Sequence, residues 1–158
     1  MHRLGHYGAA LLCFSPIATI LTALGAVEMA VAGGAVVVGG AMLPDWDQRV
    51  PGLSHRGPTH TVWFALIVGA VVGATGGLIG GAVLGAMGAV AGTMLVVAHL
   101  LADALTPMGI RPFAPIRDTK YTLDVVQASS TVGNYLLLVV GVSAAAAALY
   151  AGRLAAGL

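Results

Sequence analysis

Charge is scarce in this sequence. Only 8% of its residues are Asp, Glu, Lys or Arg, against 58% hydrophobic residues and a mean hydropathy of +0.94. Soluble domains carry roughly 25% charged residues. That shortage excludes an ordinary water-soluble globule and makes lipid the expected solvent. Cysteine is almost absent too. Cys13 alone cannot form an internal disulfide, and its place in an apolar run reads as packing. The strict apolar–polar alternation of a membrane barrel is missing. The net charge of +1 gives no basis for a polyanionic partner, and no nucleic acid is expected.

What is present is a set of long apolar runs. They cover about 8–27, 29–43, 61–79, 81–104 and 132–152. Continuous apolar runs predict helices, because a helix satisfies its own backbone in lipid. The expected fold is an all-α, polytopic bundle of about five transmembrane helices in one domain spanning 1–158. The first run exceeds the ~7–15 residues of a signal peptide core, so it reads as a retained helix. The second run is short: at 1.5 Å per residue it reaches only about 22 Å, against ~30 Å of hydrocarbon. Its Asp end is therefore a candidate for a sunken, protein-lined pocket. Glycines abound, and Gly69/Gly73, Gly77/Gly81, Gly81/Gly85 and Gly88/Gly92 follow small-xxx-small spacing. That spacing permits close helix packing.

The few ionisable residues are not scattered. With five helices in up-down order, all of them except Glu28 and Arg153 fall on one side. Lys and Arg follow the same bias, so the positive-inside rule makes that side cytoplasmic, with the N-terminus inside and the C-terminus outside. Ionisable residues at the foot of membrane helices are costly and point to function.

His99 and Asp103 lie four apart, on one face of a helix, where they can clasp a single divalent ion. Asp45 and Asp47 follow the end of the second run, where a helix dipole disfavours anions unless a cation is near. Pro58 suits a first helical turn, which makes His60 a side chain at the start of the third helix. His55 falls in the preceding loop, and His6 begins the first helix. Together, His6, Asp45, Asp47, His60, His99 and Asp103 form a mixed N/O set without thiolate. Such a set suits Zn²⁺, Mn²⁺ or Fe²⁺, one ion or two. Arg56, Arg111, Arg117 and Lys120 flank it and could meet phosphate oxygens. The alternative for Arg117 and Lys120 is a topology signal and lipid-headgroup contact.

Gly5-His6, Leu43-Pro44-Asp45-Trp46-Asp47, His55-Arg56-Gly57-Pro58-Thr59-His60-Thr61 and His99-Leu-Leu-Ala-Asp103-Ala-Leu-Thr106-Pro107-Met-Gly109 occur in this order. The sequence thereby resembles the YdjM-like inner-membrane family, described as membrane-bound metal-dependent hydrolases. That family is distantly similar to zinc-dependent phospholipase C and P1-type nucleases. The resemblance implies metal ligation by His6, Asp45, His60, His99 and Asp103. It implies Asp45 as a ligand or the base that orients water, with Asp47 a further candidate; beside it, the residues themselves offer Arg56 as a catalytic group and, with Arg111 and His55, as a substrate contact. It implies a reaction class, phosphoester hydrolysis, in the inner membrane of a bacterium or archaeon; the one-sided placement of the ionisable residues points to a lipid-linked phosphate or phosphodiester at the cytoplasmic leaflet. The sequence departs from the phospholipase pattern in one respect: no His follows His99 and no Glu follows Glu28. Two other readings use the same ligands: a divalent-metal carrier, and a structural or regulatory membrane protein whose loops a metal fixes. A carrier is expected to hold its polar groups at the midplane, where this sequence has none.

Overall fold

The computed structural model describes residues 1–157. It is all-helical, with no β-strand among the described residues and one isolated bridge between Ile110 and Tyr121. Four helices occur: α1 (Arg3–Ala23), α2 (Val27–Gly39), α3 (Val62–Ala104) and α4 (Thr131–Ala155). Short 3-10 turns cover Pro44–Arg49 and Pro58–His60. Four helical stretches are long and apolar enough to cross a membrane: α1, Val27–Arg49, α3 and α4.

Five helices were expected, and four are found. The runs 61–79 and 81–104 belong to the single element α3, which carries non-helical backbone at Gly80 and Gly81. Gly81 has φ 77 and ψ −171, a region open essentially to glycine alone. The chain reverses there. Gly69 faces Thr93, Gly73 faces Ala89 and Gly77 faces Gly85, so partners draw together toward Gly81 as in an antiparallel hairpin. A straight helix of 43 residues would reach about 65 Å at 1.5 Å per residue. Folding back instead returns Asp103 to the end where the helix began, beside His60.

Helix boundaries follow local chemistry. Thr61 caps α3 by accepting the Phe64 N–H, and Ser130 caps α4 by accepting that of Gly133. Pro16 lies inside α1 and cannot donate to the Leu12 carbonyl. The Ser15 hydroxyl donates to that oxygen instead, at 2.7 Å. α2 ends at Gly39, earlier than the expected 43, and the Leu43-Pro44-Asp45 stretch goes on as a 3-10 turn. Pro58 likewise opens a 3-10 turn, and α3 starts only at Val62.

α1 packs most extensively on α4. The two backbones meet at Gly8 and Gly141, where a Cβ on either would collide with the opposing main chain. Phe14, Val37, Leu95 and Val96 fill the core between α1, α2 and α3. Many large apolar side chains point outward, including Leu66, Ile67, Leu78, Leu136 and Val139, as expected of surfaces bathed by lipid tails.

Candidate metal centre

Three imidazoles and two carboxylates are wholly or almost wholly buried at one end of the bundle: His6, His60, His99, Asp47 and Asp103. Asp45 joins them, half-buried. The second arm of α3 supplies His99 and Asp103 on one face. The turn before α3 supplies His60, and the turn after α2 supplies Asp45.

Asp45 Oδ1, His60 Nε2, His99 Nε2 and Asp103 Oδ2 converge. His99 Nε2 lies 3.2 Å from His60 Nε2 and 3.4 Å from Asp45 Oδ1. His60 Nε2 lies 3.5 Å from Asp45 Oδ1 and 3.6 Å from Asp103 Oδ2, and His99 Nε2 lies 3.7 Å from Asp103 Oδ2. These ligand atoms all fall within 4.8 Å of one another. Zinc bonds of about 2.0–2.1 Å in a tetrahedron put ligands about 3.3 Å apart. The spacing therefore fits a small divalent ion at the centre.

Proton accounting supports the same fit. His99 Nδ1 lies 2.7 Å from the Ala41 carbonyl, which can only accept, so Nδ1 carries the hydrogen. His60 Nδ1 faces the Thr59 hydroxyl at 3.0 Å and Asp47 Oδ2 at 3.4 Å. Thr59 donates its own hydrogen to Asp47, so His60 Nδ1 is again the donor. Burial also holds the His60 imidazole below its usual pKa range, which favours the neutral ring. The two Nε2 atoms thus face each other and two carboxylate oxygens. A small divalent cation held between them would balance the two carboxylates.

Asp47 does not enter this set. It sits behind His60, bonded to Thr59, the Arg56 N–H and His55 Nδ1. A carboxylate on the far nitrogen of a ligating histidine fixes its tautomer and raises its basicity. Asp47 is thus placed to orient a ligand, away from the position expected of a water-directing group. Asp47, His55 and His60 also form a second, looser group of possible ligand atoms.

His6 is adjacent but outside the four. Its ring stacks on His99 at 3.8 Å, and its Nε2 lies 3.6 Å from Asp103 Oδ1. Neither ring nitrogen has a hydrogen-bond partner. Asp103 Oδ1 is already held by the Met1 amino group at 2.6 Å and Arg56 Nη2 at 2.9 Å. That leaves Oδ2 for the cluster.

Arg56 differs from the expected phosphate contact. Its guanidinium is spent inside the protein, on Asp103, the Thr106 hydroxyl and the Gly109 carbonyl. Its backbone holds φ 61, a left-handed conformation rare for a side chain of this size. Arg111 is exposed and faces Asp118 at 3.6 Å. With Arg56, His55, Trp63 and Phe64 it lines a cavity of about 700 Å³. None of the four converging residues lines that cavity.

The segment 105–130 is irregular yet tied down. Leu123 and Val125 donate to the last carbonyls of the α3 end, Ala104 and Leu105, and Thr122 bonds the Thr106 carbonyl. Asn134 does not join the site. Its side chain accepts the His2 N–H and donates to Ala128 and Ser130 carbonyls, pinning the start of α1 to the start of α4. Sequence reasoning missed this clamp, along with the Ala41 carbonyl, because the partners lie far apart in sequence; it also missed Thr59, whose partners His60 and Asp47 are near but carry no periodic pattern.

Residues 1–157 match the family model of the YdjM inner membrane protein. The chain belongs to the YdjM inner membrane protein family. Membership places the chain in a membrane, in agreement with its apolar helices. No curated protein and no solved structure matches it. The YdjM description names a location and no reaction. The expected similarity to zinc-dependent phospholipase C and P1-type nucleases gains no support from these comparisons.

Proposed function

We propose that this protein is a multi-pass, divalent-metal-dependent hydrolase, a phosphoesterase acting on a lipid-linked phosphate or phosphodiester. One observation carries the metal: two imidazole nitrogens and two carboxylate oxygens converge, with separations of 3.2–3.7 Å between them. The family resemblance and the membrane setting carry the reaction class and the substrate. Treating the arms of α3 as separate crossings gives five passes. The positive-inside rule then turns the polar end toward the cytoplasm of a bacterium or archaeon.

In this reading Asp45, His60, His99 and Asp103 hold the ion, and His6 is the reserve ligand for a second. A bound Zn²⁺, Mn²⁺ or Fe²⁺ supplies positive charge that polarises a phosphoryl oxygen and acidifies water. Asp45 is the one member of the four that reaches a solvent-facing pocket. It is the carboxylate placed to orient a water or take its proton. Asp47 holds His60 in its ligand tautomer, and Arg56 balances the buried charge of Asp103.

A second reading has an observation of its own. Four protein ligands already complete a tetrahedron, the habit of structural zinc sites. The two readings separate in one experiment with purified protein in detergent, loaded with Zn²⁺ or Mn²⁺. A phosphoesterase hydrolyses some member of a panel of lipid phosphates and simple phosphodiesters, and His99→Ala abolishes that rate along with the bound metal. Equal background rates for the wild type and His99→Ala across the panel sink the enzymatic reading. Unfolding on chelation without any turnover supports the structural one.

A further inference from the structure

Access to the cluster identifies residues that neither the motifs nor the resemblance single out. Of the four converging side chains, three are sealed, and only Asp45 lines an open cavity. That cavity measures about 390 Å³ and is walled by Arg3 and Tyr7 from α1 and by Met42, Trp46, Gln48 and Arg49 from the chain after α2. Arg3 and Arg49 are exposed. Arginine ion pairs elsewhere join Arg56 to Asp103 and Arg111 to Asp118. Arg3 and Arg49 have no carboxylate partner among the described residues. Two unspent guanidiniums thus share a small polar pocket with a candidate metal ligand, while the arginines of the HRGPTH stretch and of the 105–130 segment are paired or remote from the cluster.

We infer that Arg3 and Arg49 form the oxyanion subsite of the centre, holding a phosphate group beside Asp45. This rests on the metal-dependent phosphoesterase reading. Guanidinium forks match phosphate oxygens in pairs and stay charged at every working pH. Tyr7 lines the same wall. Trp46, 59% exposed, stands at the rim, where an aromatic side chain suits the boundary between headgroups and hydrocarbon. The ligand class is a phosphate monoester or diester, supplied either as a free phosphate compound or as a lipid headgroup.

The test uses full-length protein loaded with Mn²⁺ in detergent, with ³¹P relaxation reporting phosphate held near the paramagnetic ion. Wild type relaxes inorganic phosphate in a saturable manner. Arg3→Gln and Arg49→Gln each weaken phosphate affinity by about tenfold or more, the value of one charged hydrogen bond, while Mn²⁺ content stays unchanged. Arg153→Gln, at the far end of α4, binds as wild type. Wild-type affinity in both Arg3→Gln and Arg49→Gln overturns the inference, as does a loss confined to Arg111→Gln. A short-chain alkyl phosphate that binds more tightly than inorganic phosphate assigns the subsite to a lipid headgroup; equal binding assigns it to a free phosphate compound. Saturable, arginine-dependent binding without turnover of any ester leaves the subsite standing and removes the hydrolase. Turnover with unaltered phosphate affinity in the two variants does the reverse.

Discussion

Asp45 and Asp47 are two residues apart and do different work. A 3-10 turn has three residues per turn, so side chains two apart point in different directions. Pro44–Arg49 is such a turn. Asp45 consequently reaches the converging Nε2 atoms, and Asp47 reaches the back of His60. Loss of a carboxylate behind a ligating histidine typically costs 10–100-fold in metal affinity. Asp47→Asn is therefore expected to weaken Zn²⁺ or Mn²⁺ binding by roughly that factor. Its amide retains part of the hydrogen bonding to Thr59. Competition against a calibrated chelator measures the change, and unchanged affinity would deny Asp47 its orienting role. The His99/Asp103 pair was legible from sequence because i, i+4 spacing leaves only one geometry on a helix. The division of labour between Asp45 and Asp47 was not, since both stand after a helix end without periodicity. Arg56 was misread for a related reason. Its partners, Asp103, Thr106 and Gly109, come from a segment some fifty residues away, and nothing local in HRGPTH announces that the guanidinium is already occupied.

At the scale of the element, α3 decides whether the centre exists. His60 precedes its first arm and His99 ends its second, so the ligands meet only because the chain reverses at Gly80–Gly81. The glycine spacing in 69–92 was readable as close packing, and the structure puts those glycines between the two arms. The count of elements was not readable in the same way. Hydropathy separates 61–79 from 81–104, while the joint between them is only the two non-helical residues Gly80 and Gly81. At Gly81 the backbone lies where a Cβ is strained even though the space around it is open. Gly81→Ala is expected to cost about 1–3 kcal/mol. A lowered midpoint of thermal unfolding in detergent reports it, and an unchanged midpoint would show that the joint relaxes freely.

At the scale of the molecule, α4 supplies none of the converging ligands, yet α1 is held chiefly by it. Gly8 and Gly141 touch through bare backbone, and Asn134 grips the His2 amide. Gly141→Ala pushes a methyl group into the Gly8 main chain, which cannot step aside. Overpacking of this sort costs about 1–3 kcal/mol. The expected result is lower thermal stability together with reduced metal occupancy, although the substitution lies far from the cluster. Full occupancy in a destabilised variant would show that α1 keeps its place without α4.

The marriage of the first helix to the last also sets a timetable. Synthesis delivers α1 at the beginning and α4 at the end, with every candidate ligand already emerged by residue 103. Until α4 leaves the ribosome and inserts, α1 lacks its main neighbour and has only its smaller contacts with α2 and α3. A chain that has not reached α4 therefore carries every candidate ligand while α1, which brings His6 and Met1 to them, lacks its chief support. The side of the cluster that α1 supplies is thus steadied only once α4 has been made.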